Sequence, residues 1–117
     1  MKVLVVENDE VFSNGLNWYL EKEDIAVDIV KSVKDAVKAV KKNSYDLICA
    51  DYKLPDGTGV DLCHMVQKIR KQRFVILTVY AKYECDEDIT ELPIEAWIEK
   101  ISFNPEKFIE LVRKKDE

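Results

Sequence analysis

An α/β fold, with a five-stranded parallel sheet and helices on both faces, is what the sequence predicts. Three observations carry that expectation. Apolar runs at 2–6 (KVLVV), 47–50 (LICA) and 74–79 (FVILTV) have the near-unbroken hydrophobicity of strands buried on both sides. Between them, apolar residues recur every three or four positions, the period of a helix packed on one face. Polar residues close the strands at their carboxyl ends, the edge where open parallel sheets bind ligands.

Length and composition bound the rest. At 117 residues the chain reads as one domain, 1–117, long enough for a core without disulfide or metal staples. With 47% hydrophobic and 35% charged residues it is expected to fold as a soluble globule. A net charge of −5 weighs against direct nucleic-acid binding by this domain. No apolar run reaches membrane-spanning length, and 3–6 is too short for a secretory signal. Cys49, Cys63 and Cys85 are odd in number and form no CxxC pair, so reduced thiols and a cytoplasmic location are expected. His64 is the only histidine, which leaves little for a His-based metal site or a Ser/His/Asp triad.

The first strand, 2–6, runs into Glu7, Asn8, Asp9 and Glu10. A helix follows with Phe12, Leu16, Tyr19 and Leu20 on one face and Gly15 as its weak point. Residues 25–30 alternate around Asp28 as a second strand. Ser32 with Asp35 resembles a capping box and opens a second helix, whose inward face is Val33, Ala36, Val37 and Val40. The third strand stops at Asp51, where Pro55, Asp56, Gly57 and Gly59 force a loop. Leu62, Met65, Val66 and Ile69 then give a third helix its packing face, and 74–79 form the fourth strand, with Thr78 near its end.

The pattern next predicts a fourth helix over 80–92, anchored only by Ile89 and Leu92 among Glu84, Asp86, Glu87, Asp88 and Glu91. Residues 96–98 (AWI) form the fifth strand, followed at once by Lys100. Asn104 caps a last helix that has Pro105 in its first turn and Phe108, Ile109, Leu111 and Val112 inward. The charged tail, 113–117, is expected to fray.

Aligning the strand ends places Glu7, Asn8, Asp9, Asp51, Thr78 and Lys100 on one edge. Acidic and amide oxygens suit a hard divalent cation such as Mg²⁺. A lysine and a hydroxyl beside them suit the outer oxygens of a phosphoryl group. Together they describe phosphoryl transfer onto the carboxylate of Asp51. Each residue alone has an ordinary explanation: Asp51 as a turn former, Thr78 as a β-branched strand residue, Lys100 as a surface lysine, Glu7 to Asp9 as a helix cap. Their shared edge favours chemistry.

Four blocks, KVLVVEND, DLICADYKLPDGTG, VILTVYA and AWIEK, in this order and spacing resemble the receiver domain of two-component response regulators along essentially the whole chain. The resemblance implies a flavodoxin-like (βα)5 fold and a signalling module rather than an enzyme. It implies that Asp51 is the phosphoacceptor, served by a sensor histidine kinase or phosphotransfer protein. Glu7 and Asn8 occupy the acidic-pair positions that hold Mg²⁺, with Asp51 and the backbone carbonyl of Lys53 as further ligands. Thr78 and Lys100 match the hydroxyl and the lysine that meet the phosphoryl oxygens, and Trp97 falls on the switch aromatic that moves with Thr78. The fourth helix, fifth strand and last helix would form the output surface, through which two copies would also pair. The chain would be either a complete single-domain protein or a receiver with a C-terminal output domain outside it, and no membrane contact is implied.

Departures from the family pattern matter. Asn8 stands where Asp is usual, which keeps an oxygen and removes a charge. Two charges at about 4 Å interact by up to about 4 kcal/mol near a protein surface, so weaker Mg²⁺ binding is expected. That leaves an alternative: a receiver-like interaction module with an impaired metal site. Val79 replaces a small residue, Ile101 replaces Pro, and Pro93 stands where Gly is common. An aspartate-nucleophile phosphatase would carry Asp where Lys53 stands, and a flavin or dinucleotide binder would need a glycine-rich loop that Gly15, Gly57 and Gly59 do not form.

Overall fold

The computed structural model describes residues 1–114. In chain order the elements are β1 (Lys2–Val6), α1 (Glu10–Lys22), β2 (Ala26–Val30), α2 (Val33–Lys42), β3 (Leu47–Ala50), a hairpin of β4 (Lys53–Leu54) and β5 (Gly57–Thr58), α3 (Gly59–Ile69), β6 (Phe74–Thr78), β7 (Ile94–Glu99) and α4 (Pro105–Arg113). The main sheet is parallel throughout, in the order β2-β1-β3-β6-β7. That is the flavodoxin-like order, with its ligand edge at the strands' carboxyl ends.

The central strands are apolar on both sides because both sides are covered. Val3, Val5, Leu47, Cys49, Val75 and Leu77 pack with Leu16 and Leu20 of α1 and Phe108 and Val112 of α4. Leu4, Val6, Ile48, Ala50, Phe74 and Ile76 pack with α2 and α3 on the other face. The alternation along each strand assigns successive side chains to opposite layers. Tyr19 and Met65, expected inward, are instead 39% and 46% exposed. Tyr19 sits one step round α1 from the Leu16/Leu20 stripe and meets the Trp18 ring edge-on at 5.1 Å.

The helix expected over 80–92 does not form. The connection from β6 to β7 holds one 3₁₀ turn, Lys82–Glu84, and is otherwise irregular. Ala81 offers no side-chain cap to that turn. The carboxylates bond locally instead: Glu84 accepts from the Ala81 N–H, and Asp88 from the N–H and hydroxyl of Thr90. Such bonds compete with helical ones. Tyr80, Cys85, Ile89 and Leu92 pack onto the α2/α3 layer in the helix's place. The expected surface of fourth helix, fifth strand and last helix therefore has an irregular segment where its first helix was drawn.

Smaller corrections concern ends. β2 begins at Ala26, and β7 spans Ile94–Glu99 rather than three residues. Ser32 accepts from the Asp35 N–H, but only this half of the capping box forms. Asn104 caps α4 as expected. Arg113, placed in the fraying tail, belongs to α4 and pairs with Glu23 at 3.1 Å. Residues 115–117 of that tail lie outside the described residues. Among the described residues, no helix is long and apolar enough to cross a membrane.

Candidate functional site

Asp51 follows the last residue of β3, and its N–H bonds to the Val6 carbonyl at 3.0 Å, tying the end of β3 to the end of β1. Oδ1 accepts from the Thr78 hydroxyl at 2.5 Å, and Oδ2 lies 3.4 Å from Lys100 Nζ. The same ammonium sits 2.6 Å from Glu7 Oε1. The ends of β1, β3, β6 and β7 thus contribute one side chain each: Glu7, Asp51, Thr78 and Lys100. Thr78 is fully buried and Glu7 only 4% exposed. Asn8 and Lys53 are exposed and stand beside this group in the chain.

Two further residues shape the group: Phe12, whose contact with Lys100 the sequence reading did not anticipate, and Asp9, which it placed on this edge and as a helix cap. Phe12 lies with its ring centroid 4.4 Å from Lys100 Nζ, a cation–π contact. Its helical spacing marked it only as a core position. Asp9 caps α1, its Oδ1 accepting from the Val11 and Phe12 N–H groups, while its own N–H donates to Glu7 Oε2 at 3.0 Å. One residue therefore starts the helix and fixes the second oxygen of Glu7.

Charge is distributed unevenly. Burial raises the carboxyl pKa of Glu7, and the nearby charge of Asp51 adds to it, against the lowering effect of Lys100 and the Asp9 N–H. Burial works against the charge of Lys100, but its bond to Glu7 and the charge of Asp51 outweigh that and raise its pKa. The ammonium gains from two anions, whereas each anion shares its site with another. Burial also pushes the Cys49 thiol far up, so it stays protonated next to the site.

The loop after Asp51 is built to come close. A Cβ on Gly59 would lie 2.4 Å from the Asp51 carbonyl oxygen, so only glycine fits there. The Gly59 N–H bonds to the Tyr52 carbonyl at 2.8 Å, and Thr58 with Asp61 forms a full capping box for α3. Trp97 joins from the other side. The Tyr80 N–H reaches Thr78 Oγ1 at 3.5 Å, and the Tyr80 carbonyl accepts from Trp97 Nε1 at 2.8 Å. Tyr52, packed between Tyr80 and Trp97 at 6.0 and 5.4 Å, has its hydroxyl pushed up to about 12 by burial and by its bond with Cys85.

The donor set fits a small hard cation. Glu7 and Asp51 bring carboxylates to within reach of one ammonium, so one cation can serve both, and Mg²⁺ commonly uses one or two carboxylates with waters completing its shell. No cluster of three or more His, Cys, Asp or Glu side chains suited to a metal occurs among the described residues.

The profile of the response regulator receiver domain matches residues 3–113. Response regulator ArlR of Staphylococcus saprophyticus subsp. saprophyticus is 30% identical over 77 residues, which is 66% of this chain and 35% of ArlR. The chain spans about a third of the length of the curated relatives it matches first. The N-terminal domain of a response regulator/sensory box/GGDEF 3-domain protein from Carboxydothermus hydrogenoformans shares the fold with a TM-score of 0.85 and 27% identity, over 96% of this chain and 90% of that one. Response regulator protein TrrA from Thermotoga maritima, solved in complex with Mg(2+)-BeF, matches with a TM-score of 0.83 and 25% identity over 96% of each chain. Because the profile match runs from the first strand of the sheet through the last helix, the chain belongs to the receiver domains of two-component response regulators.

Proposed function

We propose that this receiver, the whole of 1–117, takes a phosphoryl group onto Asp51 from a histidine kinase or phosphotransfer protein, in the presence of Mg²⁺. The observation that carries the reading is the division of the Asp51 carboxylate, with one oxygen on the Thr78 hydroxyl and the other facing the Lys100 ammonium. One Asp51 oxygen attacks phosphorus, forming the acyl-phosphate P–O bond as the donor's P–N bond breaks. The P–N electron pair stays with the donor ring, which leaves as neutral imidazole when its other nitrogen carries a proton. Lys100 and Thr78 then meet the phosphoryl oxygens, the first by charge and the second by hydrogen bonding. Glu7, with Asn8 and the Lys53 carbonyl beside it, would hold Mg²⁺, which when bound offsets charge on the transferring group. Thr78, Tyr80 and Trp97 form a bonded path from Asp51 toward the β6–β7 segment, along which modification would be read out. TrrA, a relative crystallised with Mg(2+)-BeF, supports the same chemistry here.

A second reading has its own observation. Lys100 already bridges Glu7 and Asp51, at 2.6 and 3.4 Å, and Asn8 removes a charge, so the site is partly neutralised without metal. On that reading the chain is a receiver-like interaction module. Mg²⁺ with beryllofluoride decides between them. The first reading expects a shift in tryptophan emission that Asp51→Asn abolishes and Asn8→Asp brings on at lower Mg²⁺. A silent wild type, with or without Asn8→Asp, leaves the interaction module.

A further inference from the structure

Asp56 is exposed, in the turn of the β4–β5 hairpin. Its carboxylate reaches out of that loop to another element. Oδ1 accepts from the Val33 N–H at 2.8 Å and Oδ2 from the Lys34 N–H at 3.0 Å. These are the first two N–H groups of α2, which no carbonyl of the helix can reach. The third, of Asp35, is taken by the adjacent Ser32 hydroxyl. The helix therefore has its own cap, and the bonds from Asp56 do something further.

They hold the hairpin. Its base is fixed on α3 by the Gly59 N–H on the Tyr52 carbonyl and by the Thr58–Asp61 capping box. Its tip is fixed on α2 by Asp56, next to Gly57, where an added Cβ would touch Val33 Cγ2 at 3.4 Å. Lys53 lies between these anchors, paired with Thr58 and close behind Asp51 in the chain.

We propose that Asp56 is a positioning residue for the Asp51 site: by tying the hairpin tip to the start of α2, it fixes the Lys53 peptide, whose carbonyl would help to hold the divalent cation. The assignment rests on the reading of the site as a Mg²⁺-dependent phosphoacceptor. It separates two roles that one carboxylate could play, capping a helix and aiming a loop.

The experiment is a Mg²⁺ titration followed by tryptophan emission, with no phosphoryl donor, on the wild type, Asp56→Ala, Asp56→Asn and Ser32→Ala. Ser32→Ala removes the other cap of α2 and leaves the hairpin's bonds in place. Asp56→Ala is expected to weaken Mg²⁺ binding about tenfold, the size of effects transmitted through groups that orient a metal's ligands. Asp56→Asn keeps one acceptor oxygen and falls between, while Ser32→Ala binds Mg²⁺ as the wild type does despite a lower Tm. Equal affinities in Asp56→Ala and wild type, or equal losses in Asp56→Ala and Ser32→Ala, overturn the assignment. If Asp56→Ala does not fold, Asp56→Asn against Ser32→Ala decides by the same criterion. A wild type that binds no Mg²⁺ sinks the underlying reading first, and this one with it.

Discussion

The connection from β3 to α3 and the connection from β6 to β7 leave the sheet at the same edge and touch where the Thr58 hydroxyl donates to Glu87 Oε1 at 3.1 Å. Both are rich in acidic side chains, yet they are ordered differently. In the first, Asp56 accepts from the backbone N–H groups of Val33 and Lys34, more than twenty residues away at the start of α2. In the second, Glu84 and Asp88 accept from residues two or three positions away. A carboxylate on a distant helix start joins two elements, whereas one bonded to its neighbour only shapes a turn. Acidity alone does not decide which loop becomes part of a site.

The contrast can be tested at decreasing cost to the protein. Gly59→Ala has the largest expected effect, because the new Cβ would lie 2.4 Å from the Asp51 carbonyl and the loop must move. A loss of about 1–3 kcal/mol in urea unfolding is expected, as for other overpacked sites, together with a weakened beryllofluoride response. If Gly59→Ala keeps full stability, the first connection is no more constrained than the second. Glu87→Ala removes the bond between the two, and a loss of about 0.5–1.5 kcal/mol is expected, with the site's Mg²⁺ affinity unchanged. A change in Mg²⁺ affinity there would show the acidic segment to be part of the site.

The smallest effect is a pH dependence. The Lys34 and Val33 N–H groups hold the Asp56 carboxyl below its ordinary pKa of 3.8. A carboxylate with a lowered folded-state pKa contributes stability that is complete above the unfolded value and is lost as pH falls through the folded one. The stability difference between wild type and Asp56→Asn should hold steady from neutral pH down to the ordinary carboxylate range and close below it. A gap that persists in strong acid would assign the effect to shape rather than charge.

Much of this was readable from periodicity. The five strands and the helices now α1 to α4 follow apolar patterns that only a covered parallel sheet satisfies. The 80–92 segment misled because Ile89 and Leu92 mimic helical spacing while the carboxylates around them prefer local bonds. At the candidate site, the strand ends pointed to Glu7, Asp51, Thr78 and Lys100, which lie together. What stayed hidden is side-chain reach across the fold: Phe12 over Lys100, Asp56 onto α2, and the Trp97 indole on the Tyr80 carbonyl. Strand ends and helical periods place a residue on an edge or a face, and these contacts depend on where its side chain reaches from there.

The placement of the two tryptophans has a practical side. Trp97 is tucked against Tyr52 and tied by its indole N–H to the peptide that follows Thr78 and Val79, whereas Trp18 stands 57% exposed on α1 beneath the Lys22 ammonium. A soluble quencher such as acrylamide should silence the outer ring and spare the inner one. The molecule then carries both an indicator and an internal reference, and needs no dye to report what happens at its sheet edge.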